Sequence, residues 1–223
     1  MKVSDAILSR HSMRNFKTDP VPREKLERMI DVARYAASNG NLQPWKLYVT
    51  SGAARRRLSD AIIAAIGSGE EGGPAEYDVY PKVFTQPYDA RRKKVGKDLY
   101  TLLQIAKGDT AGMHRQFVKN FDFFGAPVGM ILALDRGMGN GQWIDCGIFL
   151  GNLMLMAREE GLHTCPQAAF ARYQRIVRRE LHLPDNELVI CGLAVGYADP
   201  AELPNDLITE RARLEEFSVF IDT

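Results

Sequence analysis

The chain is poor in the features that would assign it to a specialised class. Its 223 residues hold only three cysteines, Cys146, Cys165 and Cys191, with no CxxC spacing. That number and spacing argue against a disulfide framework or a structural zinc site and suit a reducing cytosol. Neither sign of charge prevails: Lys plus Arg number 29 against 28 for Asp plus Glu. Such a balance implies no polyanion partner and no attraction to a membrane surface. No span approaches the roughly 20 apolar residues of a membrane helix. The opening MKVSDAILSRHSMR meets charged residues before it builds the apolar run of a signal peptide. The GxGxxG dinucleotide fingerprint is also missing, as are repeats and low-complexity tracts. These absences leave a soluble cytoplasmic protein whose partners are small molecules or a second copy of itself.

What is present is an ordinary core composition, 45% hydrophobic, enough for one domain over residues 1–223. Ser4 reads as the cap of a short first helix with Ile7 and Leu8 facing inward. Pro22, followed by Leu26, Met29, Ile30, Ala33 and Ala37 at spacings of three and four, predicts a second amphipathic helix to about Ser38. Trp45, Leu47 and Val49 alternate with polar neighbours, as in a strand with one buried face, and a helix follows to about Ile66. Residues 67–90 show no sustained period and are either a long functional loop or a poorly ordered one; the wider stretch 67–120 is long enough for a lid. Helical patterns return at 91–106, 110–121 and 142–160, with buried strands at 127–135 and 188–199. Strands separated by helices indicate a layered α+β or α/β domain.

Two clusters can carry chemistry. Arg10, His11, Ser12 and Arg14 put two guanidiniums and a hydroxyl at a helix-to-loop transition. That set either makes a solvated basic turn or holds a phosphate monoester, since guanidinium offers paired donors. Ser38-Asn39-Gly40-Asn41-Leu42-Gln43-Pro44 is either plain turn chemistry or a row of amides offered to a planar, hydrogen-bonding ligand. Other candidates read as structural: His163, His114 and His182 lack carboxylate partners at telling spacing, and nothing near Cys165 in sequence would depress its pKa. Met154 and Met156 read as core packing. The basic run Arg91-Arg92-Lys93-Lys94 is either a solvated face or a cationic rim that would favour a carboxylated substrate.

Together, RHSMR and, some 25 residues further on, ASNGNLQPW resemble the N-terminal signature of the FMN-dependent nitroreductase family. The resemblance continues in order through WIDCG and GNLMLMA (143–157), GLHTCPQ (161–167), Gly196-Tyr197 and the tail Arg211-Ala212-Arg213-Leu214; only about 67–120 does not align. It implies a nitroreductase-like fold, a central mixed, mainly antiparallel sheet flanked by helices in an intertwined homodimer. By the same resemblance, Arg10, Ser12 and Arg14, with the backbone of His11 and either Arg211 or Arg213, would hold the FMN phosphate and ribityl chain. Ser38, Asn39 and Asn41 would reach the flavin bound mostly by the other subunit. Pro166, Gln167, Ala168 and Ala169 would line one face of the isoalloxazine, with a backbone N–H near Ala168 directed at N5. NAD(P)H would be co-substrate and an electron-poor aromatic, nitrobenzoate-like or quinone, the acceptor. No side chain need be catalytic, because the chemistry belongs to the cofactor. Flavin-destructase or reductive-dehalogenase chemistry on the same fold, or flavin binding without turnover, are the alternatives.

Overall fold

The computed structural model describes residues 1–70, 72, 73 and 76–222. In chain order the elements are α1 (Val3–Ser9), α2 (Arg23–Ala33), β1 (Trp45–Ser51), α3 (Gly52–Gly67), α4 (Tyr88–Leu102), α5 (Thr110–Val118), β2 (Val128–Asp135), α6 (Gly141–Glu159), β3 (His163–Gln167), α7 (Gln174–Leu181) and β4 (Glu187–Gly196). The four strands form one sheet in the order β1-β2-β4-β3, every pair antiparallel. Parallel pairing is confined, among the described residues, to an isolated bridge between Ser12 and Thr164.

β2 and β4 lie at the centre, and the two-residue period of β2 separates the layers. Met130, Leu132 and Leu134 meet Leu26, Met29 and Ala33 of α2 and Phe149 and Leu153 of α6. Ile131 and Ala133 face Leu58 and Ile62 of α3 and Ile176 and Val177 of α7. The result is a helix-sheet-helix sandwich of the expected α+β kind.

Two strand glycines make room on the α3 side. A Cβ on Gly129 would lie 2.5 Å from the Phe123 ring, and one on Gly192 would lie 2.4 Å from Phe170. These two rings stack on each other at 4.6 Å. Phe123 reaches its seat from a left-handed backbone, φ 50°, followed by Phe124 at 55°, conformations that cost a non-glycine residue and persist because the packing fixes them. This explains why the helical pattern predicted to Phe121 stops at Val118: a tight, kinked turn over 119–125 takes over.

Several local expectations are corrected. α1 starts one residue before Ser4, from an extended Lys2 with no side-chain cap. It buries Ala6, whereas Ile7 and Leu8 are 53% and 83% exposed; packing against α6 uses the small residue and leaves the large ones outside. α2 ends at Ala33 because Tyr35 and Ala36 bond back three residues, to Val32 and Ala33, in a tightened final turn. β1 is an edge strand, and at its end Thr50, donating to the Gly129 carbonyl at 2.7 Å, is buried in place of Val49. α4 spans 88–102 rather than 91–106: Gln104 adopts a left-handed φ of 55°, and Ile105 N–H closes back on the Tyr100 carbonyl.

α7 has no counterpart among the sequence expectations, although Ile176 and Val177 beside Arg175, Arg178 and Arg179 mark an amphipathic turn. The aperiodic stretch 67–90, apart from positions 71, 74 and 75, which lie outside the described residues, is tied to the sheet. A bulge on β4 takes Ile190 out of register with β2, and its carbonyl accepts from the Tyr77 hydroxyl. Tyr77 also packs edge-on against Trp143, and Glu76 pairs with Arg136 at 2.5 Å.

Gly192→Ala should lower stability by about 1–3 kcal/mol through overpacking against Phe170. Gly96→Ala in α4, where a Cβ meets nothing within 4 Å, should raise it by up to about 1 kcal/mol. Thermal unfolding of the two variants measures both shifts.

Candidate functional site

α1 delivers the chain to Arg10, whose N–H closes on the Ala6 carbonyl as the helix ends. From there residues 10–15 run extended beside the start of β3, Met13 N–H bonding to the Thr164 carbonyl at 3.1 Å. Asn205 holds this segment in place. Its Oδ1 accepts from the N–H groups of Arg14 (2.7 Å) and Asn15 (3.2 Å). Its Nδ2 donates to the carbonyls of Asn15 and Asp199, and its own carbonyl lies 3.1 Å from His11 Nε2. The other His11 nitrogen faces the Ser9 carbonyl at 3.2 Å. The His11 ring thus sits between two backbone carbonyls, which fixes its place at the end of α1.

The same clamp brings the C-terminal segment alongside. Ile7, Leu8, Ser9, Arg10 and His11 form one wall of a cleft of about 760 Å³, whose other walls are Gly151, Met154 and Leu155 of α6 and Ile208, Thr209 and Arg211. Met154 packs against the core as expected and also shows a face to the cleft, because α6 is apolar around much of its circumference. Among the described residues the guanidiniums of Arg10, Arg14, Arg211 and Arg213 have no carboxylate partner within 4 Å. Arg211 donates to the Thr209 carbonyl and hydroxyl and to the Glu210 carbonyl. Unpaired cations over an apolar floor fit an anionic, partly aromatic ligand. Arg211 lines this cleft and Arg213 does not; the Arg213 N–H is taken by the Glu216 carboxylate at 2.8 Å.

β3 supplies the adjoining surface. Cys165 is buried and its thiol is pushed up to about 11 by burial, opposed by the nearby Arg14 and Arg10 charges and the Ser12 hydroxyl. That keeps it a thiol at neutral pH and places Ser12 and Arg14 against the strand. Gln167 is buried, donating to the Asn120 carbonyl at 2.5 Å, while its Oε1 and the Thr164 hydroxyl have no partner. Pro166 and Ala169 are half-buried and Ala168 is exposed.

The amide cluster stands apart from this cleft. Ser38 and Asn41 line a separate depression with Tyr35 and Gln43. Ser38 Oγ accepts from Gln43 N–H at 3.1 Å, and Asn39 N–H donates to the buried Asp145 carboxylate at 3.2 Å. The basic run 91–94 is consumed internally: Arg91 pairs with Glu216, Lys94 with Asp98 and Glu210, and Arg92 and Lys93 with Asp89. It offers no free cationic rim of the kind its sequence suggested. Asn205, Ile208 and Thr209 give no sequence signal beyond a Pro-Asn-Asp turn.

Fold and cleft together define a layered α+β protein with a cleft walled by Arg10 and Arg211 over apolar side chains. Residues 7–197 match the Nitroreductase family, and the chain belongs to that family. It is 39% identical to the 4-nitrobenzoate reductase of Pseudomonas putida over 97% of this chain and 95% of that one. It is 36% identical to the chloronitrobenzene nitroreductase of Comamonas testosteroni, covering 98% and 96%. Among solved structures, the FMN and NADPH-dependent nitroreductase NfnB from sphigopyxis sp. strain HMH superposes with a TM-score of 0.97 at 41% identity, covering both chains fully. No helix among the described residues is long and apolar enough to cross a membrane.

Asn205→Ala would strip partners from two N–H groups and two carbonyls; a loss of about 2–3 kcal/mol is expected, read as a lower Tm. His163 offers a pH signature. Burial, with Arg158 and His11 nearby, pushes its pKa from 6.5 down to about 4, and its Nδ1 accepts from Ala198 N–H. Protonation then favours the unfolded chain, so this contribution is whole above pH 6.5 and is lost as pH falls toward 4. After allowance for solvent screening it amounts to roughly 1–2 kcal/mol. His163→Asn should flatten the fall in Tm between those pH values.

Proposed function

We propose that this protein is an FMN-dependent oxidoreductase that uses NAD(P)H to reduce nitroaromatic, nitrobenzoate-class or quinone acceptors, working as a homodimer in the cytoplasm. The observation that carries the reading is the cleft itself, where Arg10 and Arg211, far apart in sequence, meet over an apolar floor with no carboxylate to neutralise them. The donor set fits a flavin phosphate: guanidiniums of Arg10, Arg14 and Arg211, the Ser12 hydroxyl, and a backbone fixed by His11 and Asn205. Arg213, engaged with Glu216 through its backbone, is the second choice of the tail pair. Pro166, Gln167, Ala168 and Ala169 would border the ring, with the orphaned Oε1 of Gln167 as a hydrogen-bond acceptor close by.

Held there by Arg10, Arg14, Ser12 and Arg211, FMN would supply the two-electron redox chemistry that links NAD(P)H to the acceptor. The chain's own part is to bind, orient and exclude water. It supplies no general acid on β3: the His163 imidazole is neutral above its lowered pKa and the Cys165 thiol holds its proton. Protons for the acceptor would therefore come from water.

The homodimer reading rests on exposed apolar surface. Val3, Ile7 and Leu8 of α1, Ile144 and Ile148 of α6, and Phe217, Val219, Phe220 and Ile221 of the tail are all open to solvent in the single chain, more than a monomer ordinarily leaves bare. A second copy covering this surface would bring its own Ser38, Asn39 and Asn41 toward the flavin. The chain would act as one domain, 1–223, with residues in 67–120 as a lid. The likeness to 4-nitrobenzoate reductases at 39% and 34% identity supports the nitrobenzoate class; the ion-paired run 91–94 does not.

The test is an absorbance spectrum of the purified protein, followed anaerobically by NADPH or NADH and then 4-nitrobenzoate. Flavin bands that bleach with the nicotinamide and return with the nitro compound are expected. A colourless protein unable to take up FMN would refute the reading. Arg10→Ala and Arg211→Ala should each weaken FMN binding roughly 10- to 100-fold, the worth of one charge-assisted contact, measured by quenching of flavin fluorescence.

A further inference from the structure

α4 stands between two clefts. Its Arg91, Lys94, Val95 and Asp98 face the C-terminal segment that carries Arg211. One helical step around, Lys93, Lys97, Tyr100 and Thr101 face a second cleft of about 720 Å³, closed by Ile105, Ala106, Lys107, Gly108 and Met113. This second cleft belongs to none of the residues implicated in flavin binding.

Its charge pattern sets it apart. Among the described residues Lys97 and Lys107 have no carboxylate within ion-pair distance. The nearby acids are committed elsewhere. Asp98 pairs with Lys94, and Asp89 holds Lys93 and Arg92. Asp109 caps α5 by accepting the Gly112 N–H at 2.8 Å. The positive field of three lysines is therefore only partly offset within the cleft.

The wall is also built. Gln104 in a left-handed turn, Ile105 N–H on the Tyr100 carbonyl, and Gly108 at φ 91° fix the connection between α4 and α5. Half-buried Tyr100, Ile105 and Met113 give an aromatic and apolar floor. Ammonium charges beside such a floor suit a phosphate group attached to a flat base, since Lys meets a phosphate as a compact point charge.

We infer that the α4–α5 cleft is a nucleotide-phosphate site that takes the phosphorylated adenosine end of NADPH, with Lys97 and Lys107 contacting the 2′-phosphate and Tyr100 the adenine. The inference rests on the proposed use of a nicotinamide co-substrate and deepens it, since NADH lacks that phosphate. Recognition here sets the choice between the two nucleotides and leaves the acceptor untouched.

The test uses the full chain loaded with FMN. Calorimetric titration with 2′,5′-ADP should show binding that Lys97→Glu plus Lys107→Glu weakens at least tenfold, while 5′-AMP binds feebly to both proteins. In steady-state assays the double variant should raise KM for NADPH at least tenfold and leave KM for NADH and for 4-nitrobenzoate unchanged. Equal losses with NADH and NADPH, a changed KM for the nitro compound alone, or no change would each overturn the assignment. Inorganic phosphate binding as well as 2′,5′-ADP would reduce the cleft to a simple anion site and overturn it too. A protein that binds 2′,5′-ADP in this lysine-dependent way but oxidises neither nucleotide would instead refute the oxidoreductase reading, so the two failures are separable. Circular dichroism and Tm of the variant exclude misfolding, and Lys97→Gln with Lys107→Gln gives a milder second variant that should move in the same direction.

Discussion

The side chain of Asn205 is the constraint on which the site depends. One amide satisfies the N–H groups of Arg14 and Asn15 and the carbonyls of Asn15 and Asp199, and the same residue's backbone carbonyl faces His11. Without it, residues 10–15 would be an irregular segment paired through the Ser12–Thr164 bridge and the Met13 N–H, with the N–H groups of Arg14 and Asn15 left unmatched. With it, the first and last parts of the chain are held together, and Arg10 and Arg211 share one cleft. Asn205 is buried, so these bonds form away from water, where a missing partner is costly.

The sheet makes this clamp rigid. β3, against which Ser12 and Met13 lie, is paired to β4, and β4 is locked from the α3 side by Phe170 seated over Gly192. Phe123 over Gly129 does the same for β2, and the two rings stack, so neighbouring strands share one aromatic key. The left-handed backbone at Phe123 and Phe124 is the cost of that fit, and the packing around it maintains the strain. Ser12 and Met13, next to the cleft, are thereby backed by a tightly packed sheet, the support that a site orienting a ligand needs.

How much of this was legible in the sequence follows the range of the signals. β2, β4, α3 and α6 announce themselves through sustained periodicity or apolar runs, and their ends shift by no more than three residues. The layered α+β architecture follows from their order. α1 misleads because its pattern was read as if the core were its only partner: Ile7 and Leu8 are apolar, yet packing against α6 buries only Ala6. β1 misleads at Val49 and Thr50 because an edge strand is not bound to a strict inside and outside. A phosphate site at RHSMR was one of two local readings of its guanidiniums, and its pairing with the tail arginines came only from the resemblance, since no local rule links residues about 200 positions apart. Asn205 was not legible at all. A single amide in a turn looks the same whether it faces water or carries four hydrogen bonds. The basic run 91–94 shows the converse error, since a charge count cannot reveal that Asp89, Glu210 and Glu216 already answer it.

The separation of the amide cluster from the arginine cleft carries the last step. Ser38 and Asn41 line a depression of their own, and Asn39 N–H on Asp145 ties their loop to the main helix that borders the cleft. Asp145 is a buried carboxylate with one oxygen unpartnered, a costly arrangement in an isolated chain. Beside it α6 exposes Ile144 and Ile148, and α1 exposes Ile7 and Leu8. One chain thus offers the arginine cleft proposed to hold the flavin phosphate, a loop of donors lining a separate depression, and an uncovered apolar face. In the proposed homodimer these features have a common explanation. Two copies that buried α1 and α6 against each other could each complete the other's site, and the apolar residues that look misplaced in the monomer would be the interface that makes the site whole.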